Sequence, residues 1–561
     1  MKTNSKMYPV DIFFEKSKEE KIFHANGFER VEYVFDEFCS QLVDVHEKQG
    51  VGIHYLRVTS EDGSTNVRFS SRGTVLNVFQ GSDFGMLLTV GYENRTYSVW
   101  LPVACGQFRF DKYQRISAVE DSSLPYLWEF NSGIQLDLFL SGNPGERAII
   151  PYMIIDNSHE QFIEEIKFLS KVERCLYRKT DWFFAQKPSD IWGYLINGSI
   201  YDPRSRKGID KRFKCQQCAF AWWSYFGFLY KETGKKLYDI MQNFIAYSVL
   251  LDLSAKGEWG HGYWSDAIET HARFHLDGIH LLISQHEKTG EPLWVEAAER
   301  GMAFVTEHLM EQLDDGSLWF LHDTNEHREK HIHFQSTLFG KTPGNSLCIN
   351  THVQALTVLY RLVDTIPHNK IYSELFEKGV KALQRVLAHQ PAETIYRMLM
   401  FVLMKSKTKR KPQSLLERAI NGIVVRIIKK MYWAVRRQFP RLVFPGGFIE
   451  RDLTLGCFVD NYQITNLKDF LTLYRQVPLP WLVPYIKNNL VFLRKFLSKW
   501  GLTNALDSSP YYIELEDVLY MYDKHIEKVN PEEMNTVKET IYLQAGGYSV
   551  DYYASELVRG K

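Results

Sequence analysis

The chain has 561 residues, 45% hydrophobic and 24% charged, with 67 Lys plus Arg against 67 Asp plus Glu. This composition excludes collagen-like, disordered and disulfide-rich classes, and the neutral sum argues against a general nucleic-acid binder. The sum hides two parts: from Lys405 to Arg441 stand 12 basic residues and one acidic residue, Glu417, so this stretch carries +11 and the other 524 residues carry −11.

The segment Met1 to Pro9 is polar and no apolar leader core follows, which predicts no secretory signal. No apolar run reaches the roughly 18 residues of a membrane-spanning helix. Seven cysteines, an odd number and mostly isolated, fit a reducing cytoplasm. Residues 1–50 read as a mixed segment with a helix from Phe28 to Glu47. From Val51 the period becomes two. Met86, Leu88 and Val90 lead to a turn at Tyr92–Arg95 and a returning run, Tyr97, Val99 and Leu101. Ile134, Leu136, Leu138 and Leu140 alternate in the same way. Such runs predict an antiparallel β-sandwich which, with its linker, spans 51–190.

The remainder, 191–561, reads as one helical domain. Tyr230-Lys-Glu-Thr-Gly-Lys-Lys-Leu-Tyr238 is matched by His286-Glu-Lys-Thr-Gly-Glu-Pro-Leu-Trp294, and the two Thr-Gly pairs lie 56 residues apart. Looser copies begin at Tyr360 and Tyr474. Each copy predicts a helix stopped at a turn, then a second helix, and about five or six such αα-hairpins fill the region. Connections between hairpins are long and chemically varied, which favours a closed (α/α) toroid over an open solenoid, since structured loops on one rim would hold a site. Cys215-Gln-Gln-Cys218 opens a repeat helix with no thioredoxin-like βαβ pattern, so it reads as packing.

Four segments could carry chemistry. Gly257-Glu-Trp-Gly-His-Gly-Tyr-Trp264 puts Glu258, Trp259, His261, Tyr263 and Trp264 before a helix start, with Ser265 as its N-cap. Its glycines allow close backbone approach to a ligand and its aromatic faces can stack on sugar rings. A helix from Asp266 would align Asp266, Glu269 and Arg273. The plainer alternative makes the tryptophans core and the acids a solvated cap. The second segment, Asp314 to Asn345, holds His322, Asp323, His331 and His333 and ends at Asn350-Thr-His352. Its spacing matches no metal motif, so acid–base work or substrate hydrogen bonding is expected of it, and no metal or cofactor, with a merely solvated, charged loop as the rival reading. The third, Pro445 to Asp452, supplies Glu450 and Arg451, followed by Asn461 and Tyr462 at another helix start. The fourth, near the C-terminus, supplies Tyr548 beside two glycines. Ordinary capping is the rival reading for these last two.

The basic stretch 405–441 begins as a charged link and continues as a helix from Ser414 to Phe439, with Leu416, Ile420, Ile423, Ile427 and Met431 on one face. Arg418, Lys429, Arg436 and Arg437 lie largely opposite, and Met398 to Met404 adds apolar mass. Three readings stand: a helix lying on an anionic membrane surface, an outer helix with a basic solvent face, or a basic wall for a polyanionic substrate.

A β-sandwich followed by αα-hairpins, with acidic, aromatic and histidine-bearing loops before helix starts, resembles the six-hairpin carbohydrate-active enzymes. In domain order it looks most like the D-glucuronyl C5-epimerases. Asn350-Thr-His-Val-Gln354 is similar to the Thr-His-Ile-Asn-Gln helix start of that family, although Leu347-Cys-Ile349 stands where the family has its tyrosine. The resemblance implies a cytoplasmic enzyme of glycan biosynthesis acting on a polysaccharide or lipid-linked glycan. The reaction expected is proton abstraction at a uronate C5 with return of a proton from the opposite face. His261, Tyr263, His352 and Tyr462 are the proton-transfer candidates, with Arg273 or Arg451 for the substrate carboxylate. The alternatives are a glycoside hydrolase or lyase, in which Glu258, Asp266 or Glu269 would pair with Asp323 or Glu450 for hydrolysis, and a non-catalytic glycan- or partner-binding scaffold. Trp259, Trp264, His322, Asn350, Asn461 and Tyr548 are the remaining substrate-binding candidates.

Overall fold

The computed structural model describes residues 7–11, 19–25, 27–34, 39–46, 51–59, 64–70, 74–81, 85–92, 94–101, 104–110, 116–123, 135–141, 147–156, 163–165, 216–260, 270–327, 336–407, 426–427, 430–454, 461–497 and 509–544. The chain divides into two compact units, one of Met1–Ser254 with Gly260–Ile268, the other of Ala255–Trp259 with Glu269–Lys561.

The first unit is built on two sheets. The larger runs β2-β3-β4-β5-β13-β9-β8-β7 through Glu19–Ala25, Phe28–Val34, Cys39–His46, Val51–Thr59, Arg147–Asp156, Arg95–Leu101, Gly85–Tyr92 and Thr74–Gly81, with β10 (Ala104–Phe110) and β11 (Ile116–Ser123) attached. The smaller joins β1 (Met7–Asp11), β6 (Ser64–Ser70) and β12 (Gln135–Ser141), where β1 and β6 run parallel. The expected turn at Tyr92–Arg95 closes β8 onto β9 with Asn94 at φ 62°, the left-handed geometry a two-residue hairpin requires. Leu88 faces Val99 and Leu87 faces Trp100, and all four are buried, so these central strands are covered on both faces.

The helix expected from Phe28 to Glu47 is instead the β3–β4 hairpin, with Phe28 opposite His46 and Val31 opposite Val43. Val31, Tyr33, Val34, Val43 and Val45 are β-branched or aromatic, and β4 gains a second partner in β5; pairing outweighs local helix propensity. Phe28 then stacks on Tyr247 at 3.9 Å, which seats α2 (Lys236–Leu251) on this hairpin. The Glu165 carboxylate accepts the Leu237 N–H at 3.0 Å and serves an otherwise unpaired donor in the first turn of α2.

The helical repeat is real at atomic detail. At the end of α1 (Gln216–Thr233) the Thr233 hydroxyl bonds the Leu229 carbonyl and Gly234 takes φ 70°; α2 follows at once. At the end of α3 (Ala272–Thr289) the Thr289 hydroxyl bonds the Gln285 carbonyl and Gly290 takes φ 72°, before α4 (Pro292–His308). The third and fourth copies give α5 (Ile349–Thr365) with α6 (Lys370–Ala388), and α9 (Asn461–Gln476) with α10 (Val483–Leu497). Between them lie α7 (Glu393–Lys407) and α8, whose continuous described turns cover 430–438; α11 (Ser509–His525) and α12 (Pro531–Gln544) close the described chain. In the second unit α5 packs against both α3 and α9, and α9 against α11. Burial follows this order. Residues 349–359 of α5 are buried all round, whereas α6 buries one stripe, Tyr372, Gly379, Ala382, Leu383, Val386 and Leu387. A helix buried all round is an inner helix, and a one-sided helix lies outside it. Among the described residues no helix is long and apolar enough to cross a membrane.

Candidate active site

The start of α3 fixes the first wall. Its helix begins at Ala272, with His271 as N-cap in extended geometry, so no helix runs through from Asp266 to Arg273 as expected. His271 instead bridges Asp323, the Ala272 N–H bonds the His322 carbonyl at 2.9 Å, and Thr324 exchanges two bonds with Thr270. The second wall comes from the loop before α5. One Glu326 carboxylate accepts both the His322 N–H (2.9 Å) and the Ser346 N–H (3.1 Å). The third comes from the loop before α9, where the Leu453 N–H bonds the Ser346 carbonyl and the Ile349 N–H bonds the Arg451 carbonyl, both at 2.8 Å. The start of α3, the start of α5 and the segment 451–453 are therefore laced together by backbone bonds and the Glu326 carboxylate, and Arg273, His322, Asp323, Arg451 and Tyr462 are half-buried.

The side chains form two charged arms with a histidine close by. Arg273 donates to Asp469 at 2.7 Å and to the Asn350 carbonyl at 3.1 Å. Burial opposes its charge, but Asp469, Asp277 and Cys348 together outweigh burial and hold it cationic. Beneath it, burial pushes the Asp277 carboxyl up to about 7 against the pull of Arg273, and the Gln354 amide binds it at 2.6 Å. Arg451 donates to Asp452 at 2.6 Å and to the Tyr462 phenol oxygen at 2.9 Å, its guanidinium 4.7 Å from the tyrosine ring centre. Burial works against this charge too, and Asp452, with Cys348 and Tyr462, more than restores it. His322 contacts the Thr351 hydroxyl through Nδ1 at 3.0 Å and meets the His271 ring edge-on. Burial, then the Arg451 charge, lower its pKa, against the opposing pull of Asp323, Glu326 and Asp452. Glu326 moves the other way: burial and the neighbouring Asp323 push it up to about 8. The site at neutral pH thus combines two fixed cations and a neutral imidazole, with the Tyr462 side chain against Arg451.

Other sequence candidates are placed elsewhere. His352 is fully buried; Nδ1 accepts the Phe320 N–H at 3.1 Å, Nε2 donates to the Gly379 carbonyl at 3.0 Å, and the ring stacks on Trp319 at 3.9 Å. Burial drives its pKa down to about 3, and with both nitrogens occupied it is a core residue, not a proton carrier. Glu450 is also buried, accepting from the Tyr432 phenol at 3.2 Å with Arg436 at 3.7 Å, away from any solvent-reachable bond. Trp259 is fully buried and packs edge-on against His275 at 4.8 Å. Glu258 accepts the Thr270 hydroxyl at 2.7 Å, which ties its loop to the start of α3. Asn350 is buried; its Oδ1 accepts the Thr351 N–H and the Cys348 thiol. Gly257 and Gly447 have φ of 79° and 96°, and a Cβ on either would collide with the Arg300 or the Asn488 carbonyl. Their close approach is to helix backbone rather than to a ligand. His261, Tyr263, Trp264, Asp266, Glu269, His331, His333, Cys215 and Tyr548 lie outside the described residues, as do the side chains of Cys218 and Asn461.

Sequence reasoning missed Glu326, Thr351, Asp452 and Asp469. Asp469 shares one helical face of α9 with Tyr462, Thr465 and Asn466, but nothing in that spacing ties it to Arg273. Among the described residues no three His, Cys, Asp or Glu side chains gather as metal ligands.

No protein-family model matches the chain, and no curated protein does. Among solved structures it is similar to an unsaturated glucuronyl hydrolase specific for heparin, at 16% identity and TM-score 0.31 over 56% of this chain and 77% of that one. A polysaccharide lyase matches at 10% identity and TM-score 0.27, over 93% of this chain and 82% of its own. Cellobiose 2-epimerase from Bacillus thermoamylovorans B4167 matches at 9% identity and TM-score 0.29, over 60% of this chain and 87% of its own. Scores below 0.5 leave the chemistry to be argued from the residues themselves.

Proposed function

We propose that the second unit carries the active site of a carbohydrate-modifying enzyme that epimerises a uronate at C5. The observation that carries this reading is the Arg451–Tyr462 pair beside a histidine kept neutral by burial. A proton next to a carboxylate is removed more readily when a cation neutralises the carboxylate, which is the role assigned to Arg451, with Arg273 behind it. The neutral His322 ring takes the C5 proton. The Tyr462 oxygen already accepts from Arg451, which leaves its own O–H directed elsewhere and able to supply a proton to the opposite face. The C5–H bond breaks to a carbanion with its charge spread into the carboxylate, and a new C5–H bond forms from the phenol. Proton exchange with water then resets both groups.

In this reading the inner and outer helices close as an (α/α) toroid, the two sheets form the β-sandwich of the six-hairpin enzymes, and the substrate is a cytoplasmic, lipid-linked or polymeric uronate glycan. Incubation with uronate polysaccharides in heavy water tests it. Deuterium at C5 without chain cleavage is the expected result. New reducing ends without deuterium would replace epimerisation by hydrolysis, unsaturated ends would indicate a lyase, and none of these over a broad glycan panel would leave a binding scaffold.

A further inference from the structure

The basic stretch contains a surface that the active site does not explain. Two of its arginines are internal: Arg436 is fully buried against the Asp452 carbonyl at 2.7 Å, and Arg441 is buried against Glu393 at 2.9 Å and the Pro391 carbonyl at 3.0 Å. They anchor the fold and are not part of a basic face as expected for Arg436.

What faces out is apolar. On α7, Tyr396, Leu399 and Met400 are buried in a core shared with Tyr432 of α8, Phe444, Phe448 and Phe492. The opposite side of α7 exposes Met398 at 60% and Phe401 at 66%, with Ile395 and Val402 at 39% and 41%. On α8, Tyr432 points into the same core while Met431, and Ile427 ahead of the helix, are each 52% exposed. An outer helix with an ordinary solvent face would bury these apolar positions and expose polar ones; here both helices turn apolar stripes away from their shared core. The polar residues that accompany them are of one sign. Arg426, Lys430 and Arg437 are exposed on the described part of the 426–438 segment, which holds no acidic residue.

We propose that this α7–α8 face docks on an anionic phospholipid bilayer, lying in the interface with Met398, Phe401, Ile427 and Met431 inserted among the acyl chains and Arg426, Lys430 and Arg437 at the level of the headgroup phosphates. Charge complementarity selects this occupant. The stretch 405–441 carries the chain's one strong basic excess, two of its arginines are spent inside the fold, and Arg426, Lys430 and Arg437 remain exposed to meet an anionic surface that the acidic remainder of the chain would repel. A second copy of this chain would set that same basic excess against itself, since a symmetric contact repeats one patch on both sides.

Flotation of the full chain with vesicles of equal parts phosphatidylglycerol and phosphatidylcholine, at low salt and at 0.5 M salt, tests the proposal. The protein is expected to float with the mixed vesicles, to lose binding as salt screens the basic residues, and to stay unbound with phosphatidylcholine alone. The exposed-site variant Met398→Glu with Met431→Glu is expected to bind about tenfold or more weakly, with its thermal midpoint unchanged. Absence of flotation at low salt overturns the proposal, as does an unfolding midpoint preserved together with undiminished binding in that variant. Self-association abolished by the same substitutions, without flotation, would overturn it in favour of a contact between copies. A variant with Arg426, Lys430 and Arg437 changed to Gln keeps the apolar stripe, and wild-type binding by it at low salt would also count against the lipid-phosphate assignment. None of these readouts depends on catalysis, so they stand or fall apart from the epimerase reading.

Discussion

Arg436 offers a sharp test of how the second unit is held together. It is fully buried, donates to the Asp452 carbonyl at 2.7 Å and the Tyr432 phenol at 3.3 Å, and lies 3.7 Å from the Glu450 carboxylate, itself 1% exposed. Burial opposes the charge on Arg436, while Tyr432, Glu450 and Asp452 together sustain it. Arg436→Met keeps most of the side-chain volume but removes the cation from beside a buried anion. Breaking a buried pair from one side costs about 3–5 kcal/mol, because the remaining charge loses its compensation. For a unit of this size that lowers the thermal midpoint by about 6–15 °C. Adding Glu450→Gln removes the stranded charge and should bring the cost back to about 1–2 kcal/mol, the loss of ordinary hydrogen bonds. Calorimetry on the two single variants and the double variant measures the coupling directly. A double variant no more stable than Arg436→Met would refute the assignment of Glu450 as the group this arginine compensates.

Gly447→Ala forces a side chain against the Asn488 carbonyl at a φ of 96°, and should cost about 2–4 kcal/mol in chemical denaturation; a loss under half that would mean the loop relaxes freely. If His322 is the base, it works unprotonated, so the rate is full above its lowered pKa and falls as pH drops through it. The acid limb of the pH–rate profile then lies below the ordinary histidine value of 6.5, and a limb above 6.5 would exclude this residue. Glu326 gives a stability signature of opposite sense. Its folded-state pKa is raised from 4.5 to about 8, so its contribution is whole below 4.5 and disappears as pH climbs through 8. The unfolding midpoint should fall over that window, and Glu326→Gln should flatten the fall; an equally steep fall in the variant would place the titration elsewhere.

The sequence disclosed what is local and withheld what is paired at long range. The Thr-Gly repeat was legible because each hydroxyl bonds a carbonyl four residues back and each glycine supplies its own left-handed turn. The β3–β4 hairpin is the exception: its pairings are local, Val34 opposite Ser40 and His46 opposite Val51, but the charged residues Glu29, Arg30, Glu32 and Asp44 set among the apolar ones blur its period of two. Arg273, His322, Asp323, Arg451 and Tyr462 were found because they flank helix starts, where loops end and side chains fan out. His352 was misjudged for an equally physical reason. A helix turns about 100° per residue, so Thr351 faces His322 while its neighbour His352 faces Trp319 and the Phe320 backbone. Asp469 could not be recognised as the partner of Arg273 from spacing, since 196 residues separate them.

The neutral net charge with which the chain presents itself resolves into a division of labour on one helix. The inward side of α8 sends Arg436 to the Asp452 carbonyl, and the Asp452 carboxylate in turn binds the Arg451 guanidinium that faces Tyr462. The outward side of the same segment exposes Ile427, Lys430, Met431 and Arg437. Charges that look alike in sequence therefore do unlike things. A buried arginine is fixed by its partners and insensitive to salt, while an exposed one is screened within about 8–10 Å at physiological salt. Salt is accordingly the variable that separates them: raising it should release any hold of the outer face on an anionic surface and leave the Arg436–Asp452–Arg451 chain, and the orientation of the site, intact.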